Sequence, residues 1–171
     1  MEFTQEIKIP QERISILIGT KGEIKRKIQK ELIVKIIIDS DSGLITISGE
    51  DSLKVYTARS IINAIGRGFN PELAFNLLDD EYFLEIIDIT KYSKKSKSRL
   101  FELRSRMIGS KGKARITIEN LCDVEIRVYG KTVAIIGKLE PVDMAKRAVE
   151  KLLSGSEHGK VYSYLEREIK K

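Results

Sequence analysis

Two short stretches carry the residue types whose spacing could do chemistry: "LIGTKGEIKRKIQKE", beginning at Leu17, and "MIGSKGKARITIEN", beginning at Met107. Each sets a lysine between two glycines, as Gly19-Thr20-Lys21-Gly22 and again as Gly109-Ser110-Lys111-Gly112. A glycine at each end of a two-residue turn lets the backbone bend sharply and lie bare of side chains. The second glycine opens a basic amphipathic run that reads as a helix. The free N–H groups and positive dipole end of such a helix favour an anion, and the lysine adds charge at the same place. The chemistry expected is a non-covalent clamp on a sugar-phosphate backbone. Lys25 and Arg26 follow the first turn, Arg104 and Arg106 precede the second, and Lys113 and Arg115 follow it; these six are the candidate phosphate contacts beside the turns. A single copy would read as a plain helical hairpin with a glycine turn, but two copies in the same setting favour the clamp.

Composition supports a polyanionic partner. The formal net charge is +6, and it is uneven: residues 1–81 hold 11 Lys/Arg against 13 Asp/Glu, whereas residues 82–171 hold 20 against 12. Between positions 91 and 115 there are ten basic residues and one acid, Glu102, and this run leads into the second glycine turn. A solvated basic face is the commonest reading of such a run, and that placement weakens it here.

Other chemistries find no constellation. Cys122 is the only cysteine and His158 the only histidine, so no disulfide and no Cys/His metal site is expected, and a cytoplasmic protein fits. Asp39, Asp41 and Glu50 sit at positions 1, 3 and 12 of a calcium-loop spacing. Leu44 occupies the sixth place, where that loop needs glycine, so a hairpin turn is expected. The glycine turns lack the longer spacing and Lys-Ser/Thr ending of a P-loop. The first residues have no signal-peptide pattern, and no apolar run approaches the ~20 residues of a membrane helix. A non-enzymatic protein without cofactor or metal is expected, acting as a monomer.

The elements that must position the turns come twice. At an offset of 90, Gly19 and Gly22 fall on Gly109 and Gly112, Ile28 on Ile118, Val34 on Val124 and Ile36 on Ile126. In the first copy "EIKIP" alternates as a strand and "QERISILIG" runs as a helix into the turn. "EIKRKIQKEL" spaces Ile24, Ile28 and Leu32 by four, the apolar stripe of a helix. "IVKIIID" and "LITISG" are β-branched strands, and "DSLKVYTARSIINAI" is a capped helix. The second copy repeats the order with "YFLEIIDIT", "RLFELRSRMIG", "KARITIENL", "DVEIRVYG", "KTVAIIG" and "EPVDMAKRAVEKLL". It carries one insertion, "KYSKKSKS", which is expected to supply no core residue.

These motifs and this order resemble the KH family, type I. The resemblance implies an α+β fold of two tandem β-α-α-β-β-α domains, each a three-stranded antiparallel sheet with helices on one face. The expected division is a first domain at 1–66, a helical linker at 67–81, a second domain at 82–155 and a C-terminal helix at 156–171. In that family the Gly-x-x-Gly loop holds the backbone of about four single-stranded nucleotides, with the bases between the following helix and the neighbouring strand. Three positions after the second glycine the family has an aliphatic residue; here Lys25 and Arg115 stand there. Either Ile24 and Ile116 substitute, or the groove is more polar than usual.

Three stretches, "AIGRGFNPELAFNLL", "RLFELRSRMIGSKGKARITIEN" and "LLSGSEHGKVYSYLE", narrow the resemblance to the Dim-two-like, or partner-of-Nob, proteins that assemble the small ribosomal subunit. Retention of both glycine pairs points to the archaeal form. The resemblance implies binding of single-stranded RNA near the 3′ end of small-subunit ribosomal RNA, beside the Nob-type endonuclease and the rRNA adenine dimethyltransferase. The rival expectation is a scaffold that docks a nuclease, methyltransferase or translation factor, with the less basic first domain used for protein contacts.

Overall fold

A computed structural model describes all 171 residues. Two compact units, Met1–Asp79 and Asp80–Lys171, each hold a three-stranded antiparallel sheet. In the first unit the order is β1 (Phe3–Lys8), α1 (Gln11–Ile18), a 3-10 turn (Thr20–Gly22), α2 (Glu23–Leu32), β2 (Lys35–Ile38), β3 (Leu44–Gly49) and α3 (Ser52–Gly66). β3 is central, pairing Ile7 with Ile45 and Ile36 with Ile47. The period-two alternation puts these four isoleucines on one buried face and leaves Thr46 and Ser48 on the other. Leu17, Ile28 and Ile62 are among the helix residues buried against the isoleucine face. The Asp51 carboxylate caps α3, accepting from the Leu53 and Lys54 N–H groups at 3.0 and 3.3 Å.

The segment expected as a linker folds onto this unit as far as Asp79. Phe69 is fully buried, and α4 (Pro71–Ala74) and a 3-10 turn (Phe75–Leu78) follow it. Arg13 on α1 ties the stretch down, donating from Nε to the Ile65 carbonyl and from Nη2 to the Phe69 carbonyl, both at 2.8 Å.

The second unit runs β4 (Tyr82–Asp88), α5 (Thr90–Ser93), α6 (Lys97–Ile108), a 3-10 turn (Ser110–Gly112), α7 (Lys113–Cys122), β5 (Glu125–Tyr129), β6 (Thr132–Lys138), α8 (Leu139–Leu153) and α9 (His158–Ile169), with β6 central. Its core joins Leu103, Met107, Ile118, Ile126 and Ile135 with Val161 and Leu165 of α9, so the C-terminal helix is built into the unit. Cys122 belongs to the same core, where burial pushes its thiol up to about 11. The inserted segment also departs from expectation. Ser93 is 4% exposed and Tyr92 packs on the core, its phenol shifted upward by burial and by Glu150. A single turn of helix turns Ile89, Tyr92 and Ser93 to one side, which a run of lysines and serines conceals in the sequence.

Candidate nucleic-acid interface

The two glycine turns have the same backbone. Gly19 and Gly109 sit at φ/ψ of 77/176° and 76/172°, Lys21 and Lys111 at 55/28° and 54/30°, and Gly22 and Gly112 at 76/16° and 75/10°. The first glycine ends the preceding helix, its N–H donating to Ser15 O at 2.9 Å or Ser105 O at 2.8 Å. The second closes the turn on the first, Gly22 to Gly19 O at 3.1 Å and Gly112 to Gly109 O at 3.2 Å. A Cβ on Gly19 would lie 2.5 Å from Ile24 Cγ1, and one on Gly109 2.6 Å from the Ala114 nitrogen. The helices therefore meet through the first glycine. Thr20, Lys21, Ser110 and Lys111 are exposed at the tip, each pair ahead of the N-terminus of a ten-residue helix.

The seam between that helix and the edge strand repeats too. Gln29 Oε1 accepts from the Ile36 N–H at 2.9 Å, and Glu119 Oε2 accepts from the Ile126 N–H at 2.8 Å. In the first unit a cleft of about 370 Å³ lies along this seam, lined by Gly22, Lys25, Arg26, Gln29 and Ile38 among others. Arg26 lies beside the turn and donates to the Lys21 carbonyl.

In the second unit charge occupies the seam. Arg115 Nη1 donates to Glu119 Oε1 at 2.8 Å and reaches the Ile126 carbonyl at 3.4 Å. Arg127 Nη1 donates to Glu119 Oε2 at 3.3 Å and to the Ile126 carbonyl at 2.7 Å. Arg115 thus braces α7 against β5. Ile24 lies over the first glycine, and its counterpart is Ala114; Ile116 is 42% exposed. The groove is accordingly polar, through Lys25 in one unit and the Arg115–Glu119–Arg127 cluster in the other.

Arg106 turns inward. Its Nε donates to Leu152 O at 3.3 Å and its Nη2 to Ser156 O, so it ties α6 to the end of α8. His158 Nε2 lies 2.9 Å from the Arg106 carbonyl and caps the last turn of α6 from α9. Expected from its charge as a phosphate contact, Arg106 instead fixes the helix that carries the turn. Replacing Arg106 with alanine removes two hydrogen bonds from a charged, half-buried donor. We expect a stability loss of about 2 kcal/mol, read by thermal melting, with the anion affinity of the folded fraction little changed; a large affinity loss without destabilisation would return Arg106 to the interface. Arg104 is half-buried, and its Nε is buried with no acceptor in the protein. Lys113 is exposed at the start of α7. Gln29, Glu119, Arg127 and His158 were not among the candidates; the offset of 90 that aligns Gln29 with Glu119 was the available signal for the seam.

No helix is long and apolar enough to cross a membrane, and no cluster of three or more His, Cys, Asp or Glu side chains could hold a metal ion.

Two glycine turns, each between helices on a three-stranded sheet, define a class. Residues 4–64 match the KH domain model, and residues 83–170 match the eukaryotic-type KH domain of type I. The chain belongs to the KH family, as two tandem type I domains. It is 52% identical over 169 residues to a KH domain-containing protein of Methanocaldococcus jannaschii, covering 96% of this chain and 74% of that one. It is 28% identical over 170 residues to the RNA-binding protein pno1 of Dictyostelium discoideum, covering 96% and 71%. Among solved structures it is similar to Dim2p of Pyrococcus horikoshii, with 47% identity, a TM-score of 0.87 and coverage of 96% and 99%. It also resembles a chain in the a/eIF2α–aDim2p–rRNA complex from the same organism, with 47% identity, a TM-score of 0.91 and coverage of 99% and 95%.

Proposed function

We propose that this chain is a non-enzymatic RNA-binding protein that takes single-stranded ribosomal RNA near the 3′ end of the small-subunit RNA and acts in small-subunit assembly and pre-rRNA processing. The observation that carries this is the pair of matching left-handed Gly-x-Lys-Gly turns, each with an exposed lysine and each opening a ten-residue helix. Backbone N–H groups, a helix N-terminus and a cation converge there, and together they recognise phosphate without base readout. The relatives support the reading, since one is named as RNA-binding and one as part of a complex with rRNA. Of the sequence candidates, Gly19–Gly22, Gly109–Gly112, Lys25, Arg26, Arg104 and Lys113 form the interface, and Arg106 and Arg115 position it. The chain works as a cytoplasmic monomer beside the Nob-type endonuclease and the adenine dimethyltransferase.

The test is a titration with single-stranded RNA copied from the 3′ end of small-subunit rRNA, against the same sequence as a duplex. The single strand should bind at least about tenfold more tightly, because a duplex hides the base edges that a KH groove reads. Equal affinity for both forms would sink the reading. The docking alternative has one observation in its favour, the presence of a/eIF2α in the relative's complex. Capture of a translation factor that survives ribonuclease and requires only the first unit would favour it.

A further inference from the structure

The structure assigns a second RNA-phosphate anchor to the second unit, at the opposite end of α6 from the glycine turn and resting on the RNA-binding reading above. A cavity of about 570 Å³ lies between α5, the start of α6 and the β5–β6 turn. Lys91, Lys94, Lys95, Lys97 and Lys131 line it, with Ser93 at its wall. All five lysines are exposed.

Ser93 is the observation that points to a ligand. It is the one buried polar residue of the chain, 4% exposed, and it faces this cavity. Its backbone is bonded to Ile89 O and from the Ser96 N–H, but its hydroxyl meets no protein group. The hydroxyl is not sealed off, since Arg104 Nε is the one buried side-chain polar atom without a partner; it opens onto the cavity, where an acceptor from outside can reach it. The cavity also receives the N-terminus of the 12-residue helix α6, where the Ser96 side chain caps only the Arg99 N–H, at 3.1 Å. The chain enters through Lys94 and Lys95, both left-handed at φ 49° and 69° and both lining the cavity. One acid stands nearby: Asp88 accepts from the Thr90 hydroxyl at 2.5 Å and the Thr90 N–H at 2.9 Å. Five cations against one carboxylate, a helix N-terminus and an unpaired hydroxyl make a receptor for a phosphate group.

RNA is the source the geometry favours over a free anion. α6 joins the two sites directly, ending at Gly109, and its 12 residues span about 18 Å. A strand held at Ser110–Lys111 and extended along this unit meets the second anchor within that distance. Strands too short to leave the clamp do not.

The test compares two single-stranded RNAs on the full chain by fluorescence anisotropy over a range of salt. One has about four nucleotides, enough for the clamp alone; the other is about three times longer. The variant Lys94→Asn/Lys95→Asn/Lys131→Gln removes charge while placing asparagine where left-handed backbone tolerates it. Its affinity for the long strand should fall about tenfold and its salt slope by about one to two, with the short strand unaffected. Equal losses on both strands would reduce the lysines to a general field, and no loss on either would remove the anchor; both overturn the proposal. A wild-type chain that binds neither strand would overturn the RNA reading, and the anchor with it. An NMR arm separates the sources. The Ser93 and Lys94 amide signals should move with the long RNA; movement with inorganic phosphate at constant ionic strength and none with RNA would make this a free-anion site and refute the assignment.

Discussion

Replacing Ser110 and Lys111 with aspartate should lower affinity for single-stranded RNA by at least about tenfold at ~0.1 M salt and leave the fold intact. Both side chains are exposed at the tip of the turn. Lys111 already holds a left-handed conformation at φ 54°, and aspartate is among the residues that tolerate it best. The substitution removes a cation and introduces two carboxylates at the N-terminus of α7, where a phosphate would sit. It therefore opposes binding by charge alone and makes no demand on packing. The salt slope should flatten by about one, the signature of a lost phosphate contact. The matched change at Thr20 and Lys21 should weaken binding less, because residues 1–81 carry 11 basic against 13 acidic residues and residues 82–171 carry 20 against 12. Anisotropy titrations of both variants decide the ranking: a larger loss from the first turn would make it the main clamp.

The parts of this protein legible in its sequence were those with a period or a repeat. Strand alternation in "LITISG", the fourfold spacing of Ile24, Ile28 and Leu32, and the offset of 90 place both turns between the correct helices. Contacts between residues far apart in the chain were not legible. Arg106 resembles its basic neighbours until the end of α8 and the turn after it bring Leu152 and Ser156 to it, 46 and 50 residues later. Arg115 and Lys25 share a position in the repeat, yet only Arg115 finds a carboxylate, because Glu119 replaces Gln29 one turn further on. Charge counting treats all three as phosphate ligands; the geometry turns Arg106 and Arg115 to bracing. The insertion at 91–98 misled in the other direction, since polar residues surrounding one tyrosine hide a turn that packs on the core.

The largest stability effect should come from Gly109→Ala, a loss of about 3 kcal/mol, against about 1 kcal/mol for Gly112→Ala. The two glycines have nearly equal φ, 76° and 75°, but ψ separates them at 172° and 10°. The second lies in the left-handed helical well, which an L-residue enters for about 1–2 kcal/mol and which Lys111 already occupies. The first lies in a region open essentially to glycine alone. Space adds to the difference. A Cβ on Gly109 would stand 2.6 Å from the Ala114 nitrogen and 2.7 Å from its Cβ, whereas one on Gly112 meets nothing nearer than 3.7 Å. The Ala114 contact is with helix backbone, so relief requires α7 to move away from α6. That movement displaces Ser110, Lys111 and the N-terminus of α7 together, so RNA affinity should fall with stability. Urea unfolding followed by circular dichroism, with amide exchange reporting on residues 80–171, measures both variants. Equal losses for the two would mean that the turn relaxes without moving the helices, and that the close approach of α7 to Gly109 does not hold the clamp in shape.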